Sequence, residues 1–281
     1  MKKIYLIFLL LIFSGTSIFS QISKTHYIPP IAYSGIGSSV PQQQYIYLST
    51  PSINPVKYTI QEIGGSVVSQ DIIDNSNPYR YDVPGTGQTQ LAVNRSNVGR
   101  VITNRGYIIT ADCPIYVSVR YNVQFQAGAF TSKGAAGLGT HFRTAMYPNG
   151  DATSPVRAYD FLNYISITAT QNNTRIKATL PNANAGSEIL VGGAQVNYTG
   201  PIEIDLNENE SYIIGVDYTD GDRGTVLSPI SNRFALFGAL IESVDVASGA
   251  QDPSKPIIVN VGSANGKIGT SSGRDQGIDQ L

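Results

Sequence analysis

Tryptophan is absent from this sequence, cysteine occurs once (Cys113), histidine and methionine twice each, and only 14% of the 281 residues are charged. A single cysteine excludes an internal disulfide framework. The two histidines, His26 and His141, form no usable Cys/His pair and no obvious Ser/His/Asp set, so nucleophilic catalysis has little support, and no HExxH, Gly-x-Ser-x-Gly or phosphate-loop motif is present. A net charge of −1 without any basic stripe removes the electrostatic footprint of a nucleic-acid or anionic-membrane binder. Apolar residues at helical spacing with capping residues are also missing, so helices are not expected. No apolar run approaches the roughly 20 residues that a membrane-spanning helix needs.

The longest such run, Ile4–Phe13, has about half that length. It follows Met1-Lys2-Lys3 and precedes Ser14, Gly15, Thr16, Ser17 and Ser20, the order of a secretory leader, with cleavage expected ahead of Gln21. No cysteine near that point could carry a lipoprotein-type anchor. Export to an oxidising compartment leads us to expect a buried thiol at Cys113, between Ile109-Thr110-Ala111 and Pro114-Ile115.

What is abundant is turn and strand chemistry: 28 glycines, 15 prolines and 17 tyrosines. Strands are expected at 45–50, 56–63, 106–111, 115–122, 164–170, 175–180, 202–206, 211–216, 234–241 and 257–261. Tyr116–Tyr121 alternates poorly enough to imply burial on both faces, and Gln171-Asn172-Asn173-Thr174 reads as a tight hairpin turn.

Two stretches of the chain echo each other. Gln44–Thr50, a turn and Lys57–Ile60 open one half; Asn163–Ala169, a turn and Arg175–Ala178 open the other. Gly106–Asp112 leading to Pro114–Val119 closes the first half, as Gly238–Ser243 leading to Pro256–Val261 closes the second. The expected fold is therefore all-β, with two related β-sandwich-like units joined by a Gly/Ala-rich crossing. Residues 1–20 form the leader, 21–43 an extended segment, 44–123 the first unit, 124–160 the crossing and 161–281 the second unit. The crossing's Phe130, Leu138, Phe142 and Met146 imply that it is packed.

No catalytic residues emerge. Glu188, Glu203, Glu208, Glu210 and Glu242 are scattered, which gives no carboxylate pair for glycoside hydrolysis. Asp217, Asp220 and Asp222 around Gly221 form a candidate Ca²⁺ site without EF-hand spacing, and a solvated hairpin tip accounts for them equally. The tyrosines either pack as strand residues or form a face for protein or carbohydrate.

Gly137-Leu138-Gly139-Thr140-His141-Phe142-Arg143, Ile165–Ile176 and Pro256–Gly266 resemble the N-terminal domain family of IgGFc-binding proteins. His26–Pro30, Tyr45–Ser52 and Gly273–Gln280 are similar to long surface proteins of gliding Bacteroidetes, which carry this module before β repeats and a type IX secretion sorting domain. The resemblance implies a secreted, non-catalytic adhesion or interaction module at the cell surface. It also implies a chain that continues past Leu281, with the second unit incomplete. Its partner would be a protein or glycan, with no nucleic acid and no membrane span in the mature chain. Immunoglobulin binding is not carried over. A structural spacer and an extracellular carbohydrate-active enzyme are the alternatives.

Overall fold

The computed structural model describes residues 21–34, 40–123, 126–146, 159–220, 230–267 and 274–281. The leader, residues 1–20, lies outside them. The first half contributes β1 (Ser23–Ile28), β2 (Ile31–Tyr33), β3 (Gln43–Ser49), β4 (Val56–Glu62), β5 (Val67–Ile73), β6 (Tyr79–Asp82), β7 (Ala92–Asn94), β8 (Val101–Ile102), β9 (Tyr107–Val123) and β10 (Gln126–Thr131). The second contributes β11 (His141–Arg143), β12 (Tyr159–Ala169), β13 (Thr174–Thr179), β14 (Glu188–Val191), β15 (Ala194–Asn197), β16 (Ile202–Leu206), β17 (Ser211–Asp220), β18 (Leu240–Val244), β19 (Ile257–Lys267) and β20 (Arg274–Gln280). Among the described residues the only helical elements are short 3-10 turns, so the chain is all-β.

Each half is a sandwich, and the two are built alike. In the first, β5-β4-β9-β1 faces β6-β3-β9-β10, with the long β9 running through both sheets. In the second, β16-β13-β18-β11 faces β17-β12-β19-β20. Element for element, β3 and β4 correspond to β12 and β13, the two ends of β9 to β18 and β19, and β10 to β20. The residue pairings repeat in register. Ile46 opposite Val119 and Leu48 opposite Val117 match Ile165 opposite Val261 and Ile167 opposite Val259. Tyr58 opposite Ala111 and Ile60 opposite Ile109 match Ile176 opposite Ser243 and Ala178 opposite Ile241. Even a corner contact recurs: Thr50 Oγ1 donates to the Pro114 carbonyl at 3.4 Å, and Thr170 Oγ1 to the Pro256 carbonyl at 2.5 Å. The inward residues of these strands form the two apolar cores.

Several expectations change. The stretches 106–111 and 115–122 are one strand, β9, which bends between the sheets where Asp112, Cys113 and Pro114 are exposed. Its pairing with β1 skips this bend, so Pro114, which has no N–H to give, sits where no ladder bond is needed. Cys113 is consequently exposed, not buried. Beyond the bend the strand alternates cleanly: Ile115, Val117, Val119 and Tyr121 are buried, whereas Tyr116, Ser118 and Arg120 face outward. The two tyrosines point to opposite sides, which blurred the sequence pattern. The 171–174 turn is no hairpin, because β12 and β13 belong to different sheets; it is a corner, with Asn173 in the left-handed region at φ 54°. Residues 230–234 form a 3-10 turn, and the strand expected from 234 begins only at Leu240.

Of the crossing's described residues, Phe130 is buried in the first core and Phe142 and Met146 pack against the second, and the strand β10 lies on β9. The units also interlock. β8, from the first half, pairs with β17 and so adds an edge strand to a sheet of the second unit. Leu162, Tyr164, Ile213 and Ala264, on the outer face of that sheet, join the first unit's core, and Ile165, Ile167, Val259 and Val261 on its inner face form the second core. A sheet buried on both sides explains the nearly unbroken apolar run Tyr212-Ile213-Ile214-Gly215-Val216.

Candidate functional site

The equivalent sheet of the first unit keeps its outer face open. Period-two alternation in β3 turns Ile46 and Leu48 into the core and sends Tyr45 and Tyr47 outward. On one side β6 supplies Arg80 and Asp82, on the other β9 supplies Arg120 and Asn122, and β10 adds Ala127 and Ala129. The Tyr45 and Tyr47 rings lie 6.0 Å apart at 60°. Arg80 sits 4.9 Å from the Tyr45 ring centre and Arg120 5.2 Å from that of Tyr47, each reaching diagonally across the sheet.

The two guanidiniums differ in charge balance. Arg80 grips Asp82 with two contacts, at 2.7 and 3.1 Å, and that carboxylate is the main cause holding its pKa above the ordinary arginine value. Arg120 has no carboxylate within ion-pair distance among the described residues. A groove of about 410 Å³ opens beside it, lined by Tyr45, Tyr47, Arg120, Asn122, Ala127 and Ala129. The small side chains of β10 leave the space that the tyrosines and Arg120 wall. This volume falls within the roughly 300–1,000 Å³ of small-ligand sites.

The position equivalent to Tyr45 in the second unit is Tyr164, and opposite it Gly262 stands where the first unit has Arg120. Tyr164 is fully buried; its hydroxyl faces Tyr121 and the Ala32 backbone, and burial pushes its pKa well above the ordinary value, with Tyr121 adding to the rise. One sheet face thus serves as a buried interface in the second unit and as an open, aromatic and cationic face in the first.

Other expected residues fall elsewhere. Asp217 is in the interior of β17, fully buried at the junction of the units, where Arg95 grips its carboxylate. Asp220 ends β17, Asp222 lies outside the described residues, and among those described no three metal-ligating side chains cluster. The three aspartates are therefore not shown as one site. His141 is half-exposed and lies 3.3 Å from Glu242, and Glu203 is 4.0 Å from Arg175. His26, in the segment 21–43 expected to be extended, is fully buried in the strand β1. Its Nε2 donates to the Ile115 carbonyl at 3.0 Å and the Ser23 carbonyl at 3.2 Å. The Tyr45, Tyr47, Arg80 and Arg120 set was not singled out from sequence, although Tyr45-Ile46-Tyr47-Leu48 carries the signal, two aromatics on one strand face.

The profile of the family described as IgGFc binding protein matches residues 127–281. The chain belongs to that family. The IgGFc binding protein match begins in β10 and takes in the second unit, so Tyr45, Tyr47, Arg80 and Arg120 precede it. No curated protein matches this IgGFc binding protein family member. Among solved structures, the N-terminal CBM22-1-CBM22-2 tandem domain from Paenibacillus barcinonensis Xyn10C aligns over 84% of this chain and 80% of that one, at 8% identity and a TM-score of 0.16.

Proposed function

We propose that the protein is an extracellular, non-catalytic binding module that holds its ligand on the open face of β6-β3-β9-β10. The carrying observation is the Tyr45, Tyr47, Arg80 and Arg120 arrangement around a groove on a face whose counterpart in the second unit is buried. Tyrosine and arginine are the side chains that dominate recognition surfaces, since both give large contact area with directional polar groups. Family membership supports a binding role, because the family's name refers to the Fc part of IgG; Fc recognition itself is not carried over. The leader-like residues 1–20 support export, and the resemblance to surface proteins of gliding Bacteroidetes supports attachment or motility at the cell surface as the setting. Retention of a ligand from cell-surface extracts by immobilised protein tests this. The Tyr47→Ala, Arg120→Ala double variant should lose that retention, and undiminished retention would sink the assignment of this face.

The interlocked units also support a second reading, a rigid spacer that positions other domains. Under that reading neither the protein nor the double variant retains anything.

A further inference from the structure

We propose that the groove beside Arg120 takes an acidic oligosaccharide, a sugar chain bearing a carboxylate of the uronic-acid kind. This rests on the reading of the open face as the binding surface. The two arginines divide the work. Arg80 is neutralised by its two contacts to Asp82. Arg120 is exposed, stacked on Tyr47 and without an acidic partner among the described residues. A stacked guanidinium keeps its fork oriented, and that fork matches a planar carboxylate through two parallel hydrogen bonds. The groove therefore offers one uncompensated cation, suited to one anionic group.

The rest of the lining says what carries that group. Apart from the tyrosine rings, the outward side chains of the groove are the Asn122 amide, Ala127 and Ala129. A peptide that anchors through leucine, isoleucine or phenylalanine finds no apolar pocket here. Nor can a peptide add as a strand to β3 or β9, since each is paired on both sides. The Asn122 amide is anchored by Gln43, whose N–H donates to its Oδ1 at 2.9 Å and whose Oε1 accepts from its Nδ2 at 3.0 Å. Its remaining hydrogen-bonding capacity and the phenol groups suit a ligand with many hydroxyls, and the tyrosine rings suit the C–H faces of a sugar. The face is not reserved for packing between units either. Where the second unit buries Tyr164 under the first unit, Gly262 removes the side chain that Arg120 occupies here.

The test is calorimetric titration of the protein with tetragalacturonate, with its methyl ester, and with a sulfated neutral oligosaccharide of equal length. The acid should bind and the ester should bind at least about tenfold more weakly, the order of one charge-assisted contact. Arg120→Ala should remove the difference between acid and ester. Arg120→Lys, which keeps the charge but loses the fork, should restore it only in part. Lys57→Ala, an exposed cation of another sheet, should change nothing. Equal affinity for acid and ester, no binding of the acid, or binding of the sulfated probe alone overturns the acidic-sugar inference. If the Tyr47→Ala, Arg120→Ala variant nonetheless loses retention from surface extracts, the open face stands as the binding surface and only the ligand class falls.

Discussion

Two tyrosines show how single residues set what this fold tolerates. Tyr121 lies across Gly128 on the neighbouring strand, and Tyr164 lies across Gly262 in the same manner. A Cβ on Gly262 would stand 2.3 Å from Tyr164 Cζ, and one on Gly128 would stand 2.4 Å from Tyr121 Cζ. Neither ring can give way easily, since both tyrosines are buried. An aromatic ring covering a glycine across a strand pair restores the apolar contact that glycine itself lacks. We expect Gly262→Ala to cost about 1–3 kcal/mol through overpacking and to lower the melting temperature by roughly 2–12 °C. Gly277→Ala, where an added Cβ meets nothing within 4 Å, should be near neutral. Thermal melts of both variants check this, and equal melting temperatures would contradict the ring-over-glycine account. Nothing in the sequence marks Gly262 apart from Gly277, because the distinction is made by a side chain almost one hundred positions away.

At the level of elements, the pairing of homologous strands was the most legible feature. The echoed stretches 44–60 and 163–178 do occupy equivalent strands in identical register, because inward Ile, Leu and Val at period two can meet in only one register without exposing a whole face. Corner and hairpin were not distinguishable, since Gln171–Thr174 has the same turn chemistry in either case and only the packing of the cores decides. Short strands such as β1, β2 and β7 were missed for a related reason. They lack their own apolar alternation and are ordered by partners. β1 carries the fully buried His26, whose Nδ1 has no hydrogen-bond partner among the described residues. Burial lowers its pKa below the ordinary 6.5, against the smaller raising effect of the Ile115 and Ser23 carbonyls. The folded chain thus favours the neutral imidazole. The unfolded chain takes up a proton as pH falls through about 6.5, so stability present above that value is lost as pH drops toward the folded pKa. Urea midpoints at about pH 7.5 and about pH 5 should fall more for the wild type than for His26→Gln, which has no titrating group there. An equal fall in both would show that β1 is not the acid-sensitive element.

Across the whole molecule, the two sandwiches are recognisable as repeats but do not behave as separate beads. Asp217 of the second unit is fully buried against Arg95 of the first, Arg95 Nη1 also donates to the Gly193 carbonyl at 2.8 Å, and β8 completes a sheet that is not its own. Gln280 uses both ends of its amide across the same seam, with Asn260 of its own sheet as a further partner. Nε2 donates to the Tyr27 carbonyl and Asn260 Oδ1, while Oε1 accepts from Ser132 Oγ and the Lys133 N–H. The partners that meet across the seam are separated by long stretches of chain, which is why the repeat was readable and the seam was not. If the seam is one continuous core, heating should produce a single cooperative transition, with calorimetric and van't Hoff enthalpies in agreement. Arg95→Met removes the cation that grips the fully buried Asp217 carboxylate, a loss on the order of 3–5 kcal/mol. That substitution should lower the transition temperature by roughly 6–20 °C, and because it weakens only the seam, it should also begin to separate the two units' unfolding. The double variant Arg95→Met, Asp217→Leu should recover much of the loss, since a buried ion pair can be replaced by apolar packing when both charges are removed together. Two transitions in the wild-type protein, or an Arg95→Met variant that melts with it, would show the sandwiches to be independent.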